Sequence, residues 1–165
     1  MKKAVLFLGA VLASTGALAK LDLNGVALGA SEKEVKKSFP SALCKPLEWK
    51  SAATDRRCDD SKISLAGVEA RVTFYLKNDA VQAFDLRFNT SDLDKVMPQL
   101  KSRYGKPSAE TKDTIEQPGK EPRVVYKVLW EQGKDRASLV AQMDKKRVQL
   151  TASRGNWEEE IYRIR

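Results

Sequence analysis

Apolar residues fall at every second position over several stretches of the chain and at every third or fourth position over two others. Period two sends side chains to alternate faces of a strand, and period 3.6 gathers them on one side of a helix. Leu21, Leu23 and Val26 give a short edge strand or extended lead-in, interrupted by Gly25 and Gly29. Ser31-Glu32-Lys33-Glu34 has capping-box spacing and predicts a short helix over 32–39, with Val35 and Phe39 on one face and Pro40 as the stop. Ser41 to about Asp60 is dominated by polar and turn-forming residues and reads as a loop. Ile63 and Leu65, then Val72, Phe74 and Leu76, predict strands on either side of Gly67, and the Asn78-Asp79 turn leads into another. There Val81, Ala83, Asp85 and Arg87 point one way, while Phe84, Leu86 and Phe88 oppose them and mark the core face, so strict alternation does not reconcile every apolar position.

The second half repeats the scheme. Ser91-Asp92-Leu93-Asp94 opens a helix with an acidic first turn; Leu93, Val96, Met97, Leu100 and Tyr104 recur at helical spacing, with Pro98 as the one interruption. Gly105 and Pro107 end it. Residues 108–122 read as a weak edge strand followed by a mobile loop at Pro118-Gly119. Val124, Tyr126, Val128 and Trp130 then alternate, followed by Ala137, Leu139, Ala141 and Met143, and by Val148, Leu150 and Ala152. These are three antiparallel strands by pattern. Asn156 to Glu159 resembles a second capping box, and Trp157, Ile161 and Ile164 would share a helical face. The expected fold class is α+β: an antiparallel sheet with helices on one face, built as a tandem repeat of a helix plus three strands, with halves 20–90 and 91–165.

The first nineteen residues stand apart. Met1-Lys2-Lys3 is basic, Ala4 to Ala13 is apolar, and Ala17-Leu18-Ala19 is a small-residue cleavage site, the three parts of a secretory signal peptide in order. The apolar stretch is far shorter than the roughly twenty residues of a spanning helix, and no other run approaches that length. Lys20, not Cys, follows the cleavage site, so no lipid anchor is expected. The chain is therefore expected in the periplasm, as one domain over 20–165.

Composition is that of a globular protein, 32% charged and 42% apolar. The formal net charge is +8, of which Lys2 and Lys3 leave with the leader. A basic surface favours acidic partners: an envelope protein, an anionic envelope polymer such as lipopolysaccharide or peptidoglycan, or anionic lipid. It equally serves plain solubility. Basic residues are spread along the chain without a nucleic-acid motif, so no nucleic acid is expected. The chain has no His, which removes the commonest general base and metal ligand and every Ser-His-Asp or Cys-His site; no phosphate loop or dinucleotide fingerprint appears. No metal or cofactor is expected.

Cys44 and Cys58 are the only cysteines, and an even count in an exported chain points to a structural disulfide. The Cys-x-x-Cys spacing of a redox centre is absent. Trp49 lies between them, with Arg56 and Arg57 close by. Trp and Arg dominate binding hot spots, so Trp49, Arg56 and Arg57 are the candidate partner contacts; a Trp folded onto its own domain is the competing reading. Among the acids, Asp55, Asp59 and Asp60 cluster, as do Asp92 and Asp94. Carboxylate-only hydrolysis of cell-wall glycan needs two such groups across a cleft; a solvated turn and helix capping account for the same residues.

Gly25-Val26-Ala27-Leu28-Gly29-Ala30-Ser31 leading into a short helix, Gly67-Val68-Glu69-Ala70 with its hairpin, and Tyr104-Gly105-Lys106-Pro107 closing the second helix resemble small exported proteins related to the SmpA/BamE outer-membrane assembly lipoprotein and to β-lactamase inhibitor protein. The resemblance implies a non-enzymatic, protein-binding scaffold with a disulfide near the helix-to-sheet connection of the first half. The chain departs from it in lacking the lipid-attachment Cys and a disulfide in the second half. The leading expectation is a non-catalytic periplasmic binding or accessory protein. Its rivals are an inhibitor of an envelope enzyme of the lysozyme or β-lactamase type, a carboxylate-dependent glycan hydrolase, and a binder of anionic lipid.

Protein recovered from the envelope should begin at Lys20, and neither thiol should react with an alkylating agent until a reductant is added. Intact-mass measurement before and after alkylation checks both, and an intact leader with two labelled cysteines contradicts the export reading.

Overall fold

The computed structural model describes residues 19–163. Apart from Ala19, the leader lies outside the described residues, as do Ile164 and Arg165. The lead-in forms a small hairpin of β1 (Asp22–Leu23) and β2 (Val26–Ala27) in place of an edge strand of the main sheet. The helix α1 (Glu32–Ser38) follows, its capping box complete: the Glu34 amide donates to Ser31 Oγ and the Ser31 amide to Glu34 Oε2.

Four antiparallel strands come next, β3 (Leu43–Pro46), β4 (Arg56–Leu65), β5 (Val68–Lys77) and β6 (Ala80–Asn89). A 3-10 turn (Thr90–Asp92) leads into α2 (Leu93–Tyr104), and four more strands follow, β7 (Ala109–Gln117), β8 (Lys120–Gln132), β9 (Asp135–Gln142) and β10 (Arg147–Arg154). The chain closes on one helical turn, α3 (Trp157–Glu160). The main sheet runs β3-β4-β5-β6-β10-β9-β8-β7, antiparallel throughout. A helix followed by four strands thus occurs twice, and the last strands of the two sets, β6 and β10, pair with each other.

One stretch expected to be a loop is largely strand, and one expected edge strand runs on where a loop was expected. The segment 41–60 contains β3 and the start of β4, and Cys44 faces Cys58 directly across that ladder, joined by the disulfide. What remains as loop is 47–55. The expected weak edge strand is β7, but it forms with β8 one long hairpin that turns tightly at Pro118-Gly119, where a mobile loop was expected. Polar composition misleads in both places because edge strands carry polar side chains on both faces; all but the last residue of β7 are exposed. Pro98 sits inside α2 on its exposed side, so its ring and missing N–H do not break the buried stripe of Leu93, Val96, Met97, Leu100 and Tyr104.

One face of the sheet packs on α1, α2 and the small hairpin. Val72, Phe74 and Leu76 of β5, Phe84, Leu86 and Phe88 of β6, Val128 and Trp130 of β8, Leu139 of β9 and Val148 and Leu150 of β10 form this core with Val35, Phe39, Val96 and Leu100. The conflict in β6 is settled by a bulge. Leu76 faces Val81 and Tyr75 faces Ala83, so Gln82 is the extra residue. The bulge lets Val81 join Phe84 in the core and turns Ala83 to the other face. There Ala83 meets Trp157 and Ile161 in a second, smaller cluster, against which Trp49, Ala53 and Tyr75 pack. The first two members of the expected tail stripe therefore act together, but α3 covers the sheet face opposite α1 and α2.

Closing a loop of about fifteen residues is worth roughly 3 kcal/mol in the chain-entropy model. Reduction, or a Cys44→Ser/Cys58→Ser double substitution, should lower unfolding stability by about 2–3 kcal/mol. Urea denaturation with and without reductant reads it, and coincident midpoints contradict it.

Candidate binding face

Because a strand alternates, every residue that β4, β5, β6, β9 and β10 bury against the helices leaves its neighbours on the opposite face. Beyond the patch covered by α3, that face is open. It holds two hollows, of about 330 Å³ and about 320 Å³. The first is walled by Arg57 and Asp59 of β4, Arg71, Thr73 and Tyr75 of β5, and Asp85 and Arg87 of β6. The second lies over Ser138, Val140 and Gln142 of β9 and Arg147, Gln149 and Thr151 of β10, with Glu158 of α3 at its margin. Asp85 connects them: its Oδ1 accepts from Thr151 Oγ1 at 2.5 Å and from Gln149 Nε2 at 3.5 Å.

The polar groups here are unequally engaged. Asp59 accepts from Thr73 Oγ1 at 2.8 Å and lies 2.9 Å from Arg57 Nε, an ion pair without hydrogen-bond alignment. Burial pushes the Asp85 carboxyl above the ordinary carboxylate range, and the Thr151 hydroxyl and the Arg87 charge offset only part of that. Burial likewise pushes the Tyr75 hydroxyl up to about 12. Tyr75 also makes a tilted ring contact with Trp157, centroids 5.0 Å apart, which ties the hollow to the aromatic cluster under the tail.

The sequence-derived candidates do not form one patch. Arg57 lines the first hollow. Trp49 is half-buried, stacks on Tyr162 at 6.1 Å and donates from Nε1 to the Ile161 carbonyl at 3.4 Å. It borders the open face through the tail cluster, and the exposed member of that stack is Tyr162, at 78%. Arg56 is on the helix side, donating to both Glu32 carboxylate oxygens at 2.7 and 3.4 Å; these bonds, with help from Lys36, hold Glu32 below the usual carboxylate range.

The acidic clusters are also spoken for. Asp55 accepts from the Asn78 amide, and buried Asp60 accepts from Ser41 Oγ and the Lys62 amide. Asp59 and Asp60, adjacent in sequence, point to opposite sides of the sheet. Asp92 occupies the position before α2 without a side-chain capping bond and pairs with Lys95 at 3.3 Å; Asn89 caps the preceding turn instead. Asp94 lies in the first turn of α2, exposed. Glu32, Cys44 and Cys58 bring three potential ligand atoms within 4.8 Å of one another, but both sulfurs are consumed in the disulfide and Glu32 is held by Arg56.

Two larger recesses lie elsewhere. One of about 730 Å³ is bounded by Ala19, Lys20 and Leu28 and by Glu131 and Asp135 around the β8–β9 turn; one of about 590 Å³ lies beside α2, over Met97, Tyr126 and Met143. Neither gathers unpaired charged groups from several strands as the open face does. Arg71, Arg87 and Asp85 were missed as site residues in sequence. The signal was present in the alternation of 68–77 and 84–88, but it becomes a site only when register sets the strands side by side.

Comparison with family models, with curated proteins and with solved structures finds no match.

Asp85 binds its proton more tightly folded than unfolded, so its contribution to stability is fully present below its unfolded value and is lost as pH rises through its folded value. At neutral pH the carboxylate is a net cost. Asp85→Asn should raise the urea midpoint at pH 7, with the gain shrinking as pH falls toward about 4; a lower midpoint at pH 7 contradicts this.

Proposed function

We propose that this chain is an exported, non-catalytic binding protein of the periplasm, and that it recognises another envelope protein through the sheet face opposite α1 and α2. One observation carries the reading: an eight-stranded sheet packs α1 and α2 on one side and leaves on the other, beside α3, a hollow of about 330 Å³ walled by Arg57, Arg71, Tyr75, Asp85 and Arg87. Rigid strands hold these side chains, so a partner meets a preformed surface and little ordering entropy opposes binding. Arg and Tyr are the residue types that anchor protein interfaces. The stapled Trp49 loop and Tyr162 extend this surface at one end, in keeping with the contact role expected of Trp49 and Arg57. The Cys44–Cys58 disulfide suits an oxidising compartment, and among the described residues no helix is long and apolar enough to cross a membrane. The likeness to the SmpA/BamE and β-lactamase inhibitor proteins points the same way, toward binding.

A photo-crosslinking residue placed at Thr73, on the floor of the hollow, should yield one discrete adduct with an envelope protein in intact cells. The same residue at Lys145, in the β9–β10 turn, should not. Identical adduct patterns from the two positions would remove the open face as the binding surface.

A further inference from the structure

Antiparallel register places Arg71 of β5 directly opposite Arg87 of β6, and Arg87 directly opposite Gln149 of β10. Like charges facing each other across a ladder are destabilising, with Cβ atoms only about 4.5–5.5 Å apart. Two other arginines of this face are matched, Arg57 with Asp59 and Arg136 at 3.5 Å from Glu158, while Arg147 donates to the Gln142 amide oxygen. Arg71 and Arg87 have no carboxylate within ion-pair distance among the described residues. The nearby acids are already committed, Asp59 to Arg57 and Thr73, Asp60 to Ser41 and the Lys62 amide, and Asp85 to Thr151 and Gln149. Two adjacent guanidinium forks therefore line a hollow of about 330 Å³ whose own carboxylates, Asp59 and Asp85, are hydrogen-bonded to other groups and form no ion pair with either fork.

We infer that Arg71 and Arg87 form the anchor of the open face and take a carboxylate side chain from an acidic segment of the partner protein. This rests on the reading of that face as a protein-binding surface. A planar guanidinium meets a carboxylate through two parallel N–H···O bonds, and two such forks side by side accept one carboxylate each or share one between them. Gln149, next in register, offers an amide donor beside them. The flanking Tyr75 ring supplies apolar contact for the methylenes of a Glu side chain. The overall positive charge of the chain adds long-range attraction for an acidic segment. Keeping two like charges paired costs stability that an arriving carboxylate recovers, which couples binding to a firmer fold.

The test uses the secreted chain, isotope-labelled, and an end-blocked hexaglutamate peptide as probe. Saturable shifts are expected at the Arg71 and Arg87 Nε–H signals and at the Thr73 and Gln149 amides, with at least tenfold weaker binding in Arg71→Gln/Arg87→Gln. Because that variant loses a repulsion, it should melt no lower than the parent. Arg71→Lys keeps the charge but loses the fork, and should weaken binding several-fold even if the double variant does not fold. Lys145→Gln should leave binding unchanged. Shifts spread evenly over all basic residues, binding indifferent to the arginine substitutions, or equal competition by inorganic phosphate at matched charge would overturn the proposal. The Thr73 crosslink separates the two claims. An adduct formed at parental yield in the double variant removes the acidic anchor and leaves the binding face standing, whereas no adduct in the parent removes the binding face itself.

Discussion

The pairing of β6 with β10 is the constraint on which the rest of the molecule depends. Each set of one helix and four strands carries its apolar residues on one side, and neither could close a core of full width alone. The ladder from Arg147↔Asn89 to Ser153↔Ala83 joins them so that Phe84, Leu86 and Phe88 continue the surface of Val148, Leu150 and Ala152. A slip of one residue would send one of these triplets to solvent, so register at this seam is strongly specified. The same seam brings Asp85 to Thr151 and Arg87 beside Gln149, and the two hollows of the open face become neighbours across it.

The Gln82 bulge serves the same arrangement from within one strand. It returns Val81 to the main core, where its N–H donates to the Ala30 carbonyl and its carbonyl accepts from the Gly29 amide, stitching the entry to α1 onto the sheet. It also presents Ala83, a small residue, where Trp157 must lie flat against the opposite face. One added residue thus lets a single strand serve two clusters, and it decides how far along the sheet the tail covers the face and where the open surface begins.

Much of this was legible in the residues. The capped α1, the α2 stripe through Pro98, the β5–β6 hairpin at Asn78-Asp79 and the alternation of β8, β9 and β10 all follow from local pattern, because burial on one face imposes a period on the sequence. The conflict between Val81 and Phe84 was visible in the alternation, though only the strand register identifies it as a bulge at Gln82. Edge strands left a fainter trace: β3 and β7 are largely exposed, so little imposes a period on them, and of the two only β7 was read as a strand. The open face was hidden for a different reason. Arg71, Arg87 and Asp85 are ordinary outward residues when taken strand by strand, and only cross-strand register, shifted by the bulge, makes them neighbours. Trp49 was conspicuous as a loop aromatic, yet its partner Tyr162 lies 113 positions further along, beyond any local rule.

The two margins of the sheet have a bearing on how the molecule behaves in company. Along β7 an incoming strand would find a ladder of free backbone groups, but also Glu110, Lys112, Asp113 and Glu116 spaced along it, so a flat apolar segment gains little by adding there. At the far margin β3 is four residues long and ends on Pro46, which has no N–H to offer. Both borders are therefore poor templates for fibril growth.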